Sequence, residues 1–452
     1  MMAENAAELL ENIRILLWGP TVKEDVFRRW AQGFYFSPDE PTALVQSEGG
    51  PCAVIAPVQA FIIKQLLQEC NISTWKHIKA EKCDQLLVKA VTEILAQAAD
   101  VQNPKYSIIF LSESSDMVNG EVPDAVTTEE SSTESEERIS EDTPSTSEGR
   151  QDSLSESFHS RLRILSVENI GEVENFFMER ISLLKESFGV LVLLYSVVCT
   201  KGIAGMQEEV LDSSECLIDS TYGYGSQHLI NLMLTGRAVG HVWDHDQDVG
   251  GLKLLGIDKQ NSVGFLAYLE HLQYCEVGAF LKSPSHPVWV LGSETHLTVL
   301  FSPERDIVRP ETPAEMAKRI FNKYSPDGNN FIQTTLLQDV LAELNLVNDS
   351  EYVDIIKQKL DKESLGIILF SAFMEEFFSE QQPTGPDTFT LYHYNGLSRS
   401  NPENKIVYHK GQVVLLESNL KCVSNNNMLT CLQTKWPNIE VEWDNNLQPS
   451  LN

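Results

Sequence analysis

The sequence predicts an α+β fold, on three observations. Apolar residues recur at helical spacing through the first hundred residues, strand-like runs rich in β-branched and aromatic residues gather after residue 286, and two stretches between the ordered blocks carry a different pattern. These shifts divide the chain into 1-111, the first part of a core domain, 112-157, a disordered acidic insert, 158-313, the core domain continued, 314-378, an EF-hand-like helical module, and 379-452, a β-rich part that completes the core domain.

Taken in order, Met1 to Pro20 carries Glu4, Glu8 and Glu11 along an amphipathic helix and lacks the basic and apolar regions of a secretory signal. Val26 to Phe34 and Leu86 to Ala98 show helical spacing. Between them lies Gln46-Ser47-Glu48-Gly49-Gly50-Pro51-Cys52, followed by the apolar run Ala53 to Ile63. Pro51 suits the first position of a helix and the two glycines permit a tight turn, which sets Cys52 at a helix N-terminus. Unpaired N–H groups and the helix dipole there favour thiolate, the nucleophilic form. Gln46, six residues upstream, can bring an amide donor to where an oxyanion would form. The alternative for Cys52 is a buried free cysteine acting as a small hydrophobe. Pro57 should kink this helix or mark its early turns, and Tyr106 to Leu111 reads as a strand.

From Ser112 to Ser157 the chain has fourteen acidic residues against two arginines and no aromatic, which predicts a segment unable to bury enough apolar surface to order itself. A helix is expected from Val173 to Lys185, and the run Val190 to Val198 reads as a buried strand or helix. The Gly/Tyr-rich loop Leu217 to Gln227 precedes a helix over Leu229 to Leu234 and is either a substrate-contact surface or a plain turn. Pro287 to Phe301 reads as a β-hairpin whose second strand opens on His296, and a helix-N-terminal cysteine followed far downstream by such a histidine is the Cys-then-His order of papain-like proteases. Strand candidates at Thr388 to Leu397, Lys405 to Leu416 and Ile439 to Trp443 can return to complete the hairpin's sheet.

The module from Ala314 to Phe378 has two loops with EF-hand spacing. Counting from Ser325, position eight is Ile332, position six Asn330 and position twelve Leu336. Counting from Asp361, these are Ile368, Gly366 and Ala372. Both lack the bidentate Glu at position twelve, so calcium binding is expected to be weak or absent, and a calcium-sensing adaptor is disfavoured.

Composition bounds the rest. A net charge of −31 argues against nucleic acid and anionic membranes, both of which call for a basic patch, and suits a basic protein partner. Eight cysteines, none in a C-x-x-C pair, point to no metal site and to reduced thiols in the nucleus or cytoplasm. No cofactor is implied.

The Gln46…Gly49-Gly50-Pro51-Cys52 segment resembles the active-site segment of the MINDY family of deubiquitinating cysteine proteases. With Gly292-Ser293-Glu294-Thr295-His296-Leu297-Thr298 and the helical module, the chain is similar to the EF-hand-bearing type, over nearly its whole length except the acidic insert. The resemblance implies a divergent papain-like α+β domain that hydrolyses ubiquitin and polyubiquitin chains, preferring lysine-48 linkages. It assigns Cys52 as nucleophile, His296 as general base and Gln46 as oxyanion-hole donor. It supplies no partner for His296, for which chain order alone points to Asn395, and the chain lacks an Ala/Leu-centred, acid-flanked ubiquitin-binding helix. The rival reading is a catalytically weak or latent ubiquitin-binding scaffold.

Overall fold

The apolar run behind Cys52 sets the architecture. It forms the helix Cys52–Glu69, buried along most of its length and unbroken at Pro57, which falls in its second turn and forfeits only the bond its own N–H would make. The computed structural model describes residues 6–112, 153–210, 216–309, 312–325, 330–379, 386–416 and 426–451. Helices Ala80–Ala98, Gly189–Lys201 and Gln227–Thr235 pack around the Cys52 helix. Gly189–Lys201 is the run read as strand or helix. It is apolar on every face because helices and the strand Tyr106–Leu111 enclose it. Among the described residues no single helix is long and apolar enough to cross a membrane.

Six of the described strands form the main sheet, in the order Ile439–Trp443, His409–Leu415, Thr388–Tyr394, Leu297–Phe301, Val288–Gly292, Gly264–Ala267. Neighbours are antiparallel except the last pair, which is parallel. Side chains alternate between its faces. Val288, Val290, Val299 and Phe301 join the core that contains the Cys52 helix, whereas Trp289, Leu291, Leu300 and Leu391 pack with Met428, Cys431 and Leu432 of the helix Asn427–Gln433. The hairpin strands and the returning C-terminal strands are thus one sheet, filled on both sides.

Several boundaries differ from the sequence reading. Leu154–Ser160 is a helix, so the acidic segment's last residues, read as disordered, are ordered. Ser153 and Glu156 form a capping box and the Glu24 carboxylate accepts from the Leu154 and Ser155 N–H groups, local contacts that outweigh an acidic composition. Residues 113–152, the bulk of the predicted insert, lie outside the described residues. They are flanked by the paired strands Tyr106–Leu111 and Leu162–Val167. The helix expected over Val173 to Lys185 is two, Ile170–Glu179 and Ser182–Lys185, separated where Arg180 leaves helical backbone geometry.

Residues 313–378 contain two helix–loop–helix units with their own apolar core, which includes Phe321, Ile332, Leu341, Ile368 and Phe373. The two loops meet through the short antiparallel pair Phe331–Gln333 and Ile367–Leu369, where Ile332 lies opposite Ile368. Asn330 and Gly366 both have positive φ, 57° and 77°, where each loop turns. The Asp361 carboxylate accepts from the Leu365 and Gly366 N–H groups, both at 2.8 Å. The strands on either side of this insertion, Leu297–Phe301 and Thr388–Tyr394, are neighbours in the main sheet.

Candidate active site

Cys52 is the first residue of its helix and is 5% exposed. The turn before it is fixed from two sides. Gly50 has φ +125°, and a Cβ there would lie 2.9 Å from the Gly223 carbonyl and 3.1 Å from the Trp30 indole nitrogen, which itself donates to that carbonyl at 2.9 Å. The buried Gln32 amide accepts from the Ser47 N–H at 2.9 Å. The Gly/Tyr-rich loop therefore packs directly on the cysteine turn, with Tyr222 stacked on Tyr224.

The sulfur faces the N–H groups of Leu297, Ala53 and Cys52 itself, and its thiol points to the Gly50 carbonyl at 3.7 Å. These donors favour thiolate, as expected at a helix N-terminus. Burial outweighs them and pushes the thiol up to about 11. The thiolate expected from local sequence is therefore not the resting form, because desolvation is set by the whole fold.

His296 is the last residue of the hairpin turn, not the first of the strand, and its N–H donates to the Ser293 hydroxyl at 3.1 Å. Its Nε2 lies 3.0 Å from the Asn395 Oδ1. The orientation of that amide is determined independently: Oδ1 also accepts from the Leu397 N–H at 3.0 Å, and Nδ2 donates to the Ser450 carbonyl at 3.1 Å. Oδ1 can only accept, so Nε2 carries the proton and Nδ1 holds the lone pair. Burial pushes the imidazole down to about 4, against the Asn395 bond, which raises it, and with the Arg399 guanidinium, which lowers it. Leu297 brings the two groups together, since its N–H faces the sulfur and the residue before it is His296. No hydrogen bond joins the Cys52 and His296 side chains among the described residues, an arrangement common before substrate binds.

Gln46 lies beside this network. Its N–H donates to the Gly396 carbonyl at 2.8 Å, next to Asn395, and its side-chain amide donates to the Glu48 carbonyl at 2.8 Å, leaving a second N–H. A cleft of about 540 Å³ opens here, lined by His296, Thr295, Glu48, Tyr224, Arg29 and Arg399. A larger hollow of about 710 Å³ beside the N-terminal helix Ala6–Trp18 holds neither Cys52 nor His296. No group of three or more His, Cys, Asp or Glu side chains among the described residues is placed to hold a metal.

The profile of the family described as "Deubiquitinating enzyme MINDY-3/4, conserved domain" matches residues 14–322. The chain belongs to the MINDY-3/4 family of deubiquitinating enzymes. A Drosophila melanogaster protein named ubiquitin carboxyl-terminal hydrolase MINDY-3 homolog is 47% identical over 99% of this chain and 84% of its own length. Homo sapiens ubiquitin carboxyl-terminal hydrolase MINDY-3 is 43% identical over the full length of both chains. A Xenopus tropicalis protein named probable ubiquitin carboxyl-terminal hydrolase MINDY-4 is 29% identical over 66% of this chain and 36% of its own. No solved structure matches the chain.

For this MINDY-3/4 chain, sequence reasoning missed Gln32, the Trp30–Gly223 contact and the arginines at the cleft. Gly223 lies in the Gly/Tyr-rich loop, but Trp30, Gln32 and the arginines lie in no motif, and the contacts are made across the fold. A free-protein measurement follows from the two displaced titrations. With the thiol up at about 11 and the imidazole down at about 4, both are neutral at pH 7. Iodoacetamide labelling of Cys52, followed by peptide mass mapping, is expected to accelerate about tenfold per pH unit through the neutral range, because the thiolate fraction rises that steeply below the thiol's titration. A rate already flat between pH 6 and 8 contradicts this and indicates a preformed thiolate–imidazolium pair.

Proposed function

We propose that this chain is a cysteine hydrolase that cleaves the isopeptide bond after ubiquitin's C-terminal glycine, with lysine-48-linked chains as its preferred substrate. Membership of a family of deubiquitinating enzymes supports the reaction class. The observation that carries the site assignment is the oriented Asn395–His296 pair, whose histidine is one residue before the N–H that faces the Cys52 sulfur. His296 Nδ1 takes the thiol proton as the sulfur attacks the glycine carbonyl, and Asn395 holds the imidazole while it carries that proton. The Cys52 N–H and the second N–H of Gln46 stabilise the oxyanion. His296 then protonates the leaving lysine amine, and water, activated by the same imidazole, releases ubiquitin from the thioester. Ubiquitin's Gly-Gly tail suits a narrow approach, and its basic face suits this acidic chain.

In this reading the domain is a divergent papain-like fold, and the residue 313–378 module is an EF-hand pair that has lost its ligands. Leu336 and Ala372 occupy the positions of the bidentate Glu, so the module packs or binds a partner without calcium. Micromolar calcium is expected to leave the melting temperature and cleavage rate unchanged. Calorimetric binding in that range by the full chain contradicts this. The cysteines among the described residues form no disulfide, in keeping with a reducing compartment, nucleus or cytoplasm.

One observation favours a second reading, the latent ubiquitin-binding scaffold: the resting thiol is buried and not bonded to His296. The test separates the two. The chain is incubated with ubiquitin bearing a C-terminal electrophile and, separately, with tetraubiquitin of each linkage. A covalent adduct on Cys52, with lysine-48 chains cut fastest, supports the proposal. Ubiquitin binding with neither adduct nor cleavage selects the scaffold, and an adduct with equal cleavage of all linkages removes the linkage preference.

A further inference from the structure

The Asn395 side chain is tied to a distant part of the chain. Its Nδ2 donates to the backbone carbonyl of Ser450, 55 residues downstream. That carbonyl is held by its neighbours: Pro449 is buried, and Leu451, 4% exposed, packs in the core on the sheet face away from the Cys52 helix, with Leu391, Val413 and Trp443. Asn395 is itself 1% exposed, so each of its amide atoms needs a partner within the protein.

We propose that residues 449–451 are a positioning element for His296: the Ser450 carbonyl fixes the Asn395 amide, which fixes the tautomer and direction of the imidazole. This rests on the reading of His296 as general base. Rotating the amide by half a turn would set its NH₂ against the Leu397 N–H and its oxygen against the Ser450 carbonyl, both repulsive. It would also present a donor to Nε2, moving the imidazole proton to Nδ1, where the lone pair is needed. Without the Ser450 carbonyl, one of these two barriers is gone and a buried N–H₂ loses its acceptor. A backbone carbonyl has no side-chain signature, so the contact leaves no motif in the sequence.

Three variants test this: deletion of residues 447–452, Leu451→Ala, and Asn395→Ala, each also combined with Asn395→Ala where distinct. Turnover is followed with ubiquitin carrying a C-terminal fluorogenic amide. The deletion and Leu451→Ala are expected to lower kcat by about tenfold with KM unchanged, as a small misplacement of a reacting group does. In the Asn395→Ala background they should have no further effect. A readout independent of ubiquitin is the downfield imidazole N–H proton resonance of His296, assigned by its loss in His296→Gln. It is expected in the full chain and lost to solvent exchange in Asn395→Ala, Leu451→Ala and the deletion. Persistence of that resonance in a folded deletion variant, or equal kcat losses with and without Asn395, overturns the proposal. If the unmodified chain cuts no ubiquitin substrate, the reading of His296 as a base fails, while the resonance still decides whether the segment orients the ring.

Discussion

Cys52→Ala is expected to reduce ubiquitin-chain cleavage by at least about 10⁴-fold, the scale on which losing the nucleophile of a hydrolytic group acts. Among the described residues, the sulfur that faces the Leu297 N–H, next to His296, is that of Cys52. Cys431 belongs to the core on the sheet face away from the Cys52 helix, and Cys199 lies in the last turn of the buried helix Gly189–Lys201. The fold should hardly change, because alanine is a strong helix former and the position is already the first of an 18-residue helix. Ubiquitin affinity should therefore survive and the melting temperature should move little. Gel-based cleavage of lysine-48 tetraubiquitin, with binding measured in parallel, checks both halves. Residual turnover within tenfold of the unmodified chain would remove Cys52 as nucleophile.

Cys52 also shows where sequence stops being informative. Its place at a helix start is legible because Gly50, Pro51 and the apolar run after it are local signals, each with its own conformational preference. The hairpin and the loop spacing of the helical module are legible for the same reason: alternation and counting act over a few residues. The thiol's displaced titration is not, because burial by the whole fold sets it, and even the Leu297 N–H that opposes the shift comes from more than two hundred residues away. Asn395 sits 99 residues from His296, and chain order could name it without giving a reason. The strand Gly264–Ala267 was missed because four residues in a parallel edge pair carry almost no periodicity. The acidic segment misled in the opposite way: composition described it as a whole, yet Ser153 and Glu156 form a specific cap at its end.

The cysteine turn is held by contacts that composition does not encode, and Gly50 is where they converge. Gly50→Val is expected to lower kcat by about 10²-fold, the cost of displacing a reacting group by about 1 Å. At φ +125° a β-branched residue is strained before any contact is considered. Its Cβ would then meet the Gly223 carbonyl at 2.9 Å, and that oxygen cannot retreat without giving up the Trp30 indole bond. Either the cysteine turn shifts or the Tyr222–Tyr224 loop does, and both border the cleft. Strain of this kind costs about 1–3 kcal/mol, so a fall in melting temperature should accompany the kinetic loss. Gly205→Ala serves as the contrast. Gly205 is helical, and a Cβ there comes no closer than 3.5 Å to the flexible Lys201 side chain. That variant should melt no lower than the unmodified chain and cleave at the same rate. Wild-type turnover by Gly50→Val would mean that the turn before Cys52 tolerates displacement, and that the contact with the Gly/Tyr loop does not set the position of the sulfur.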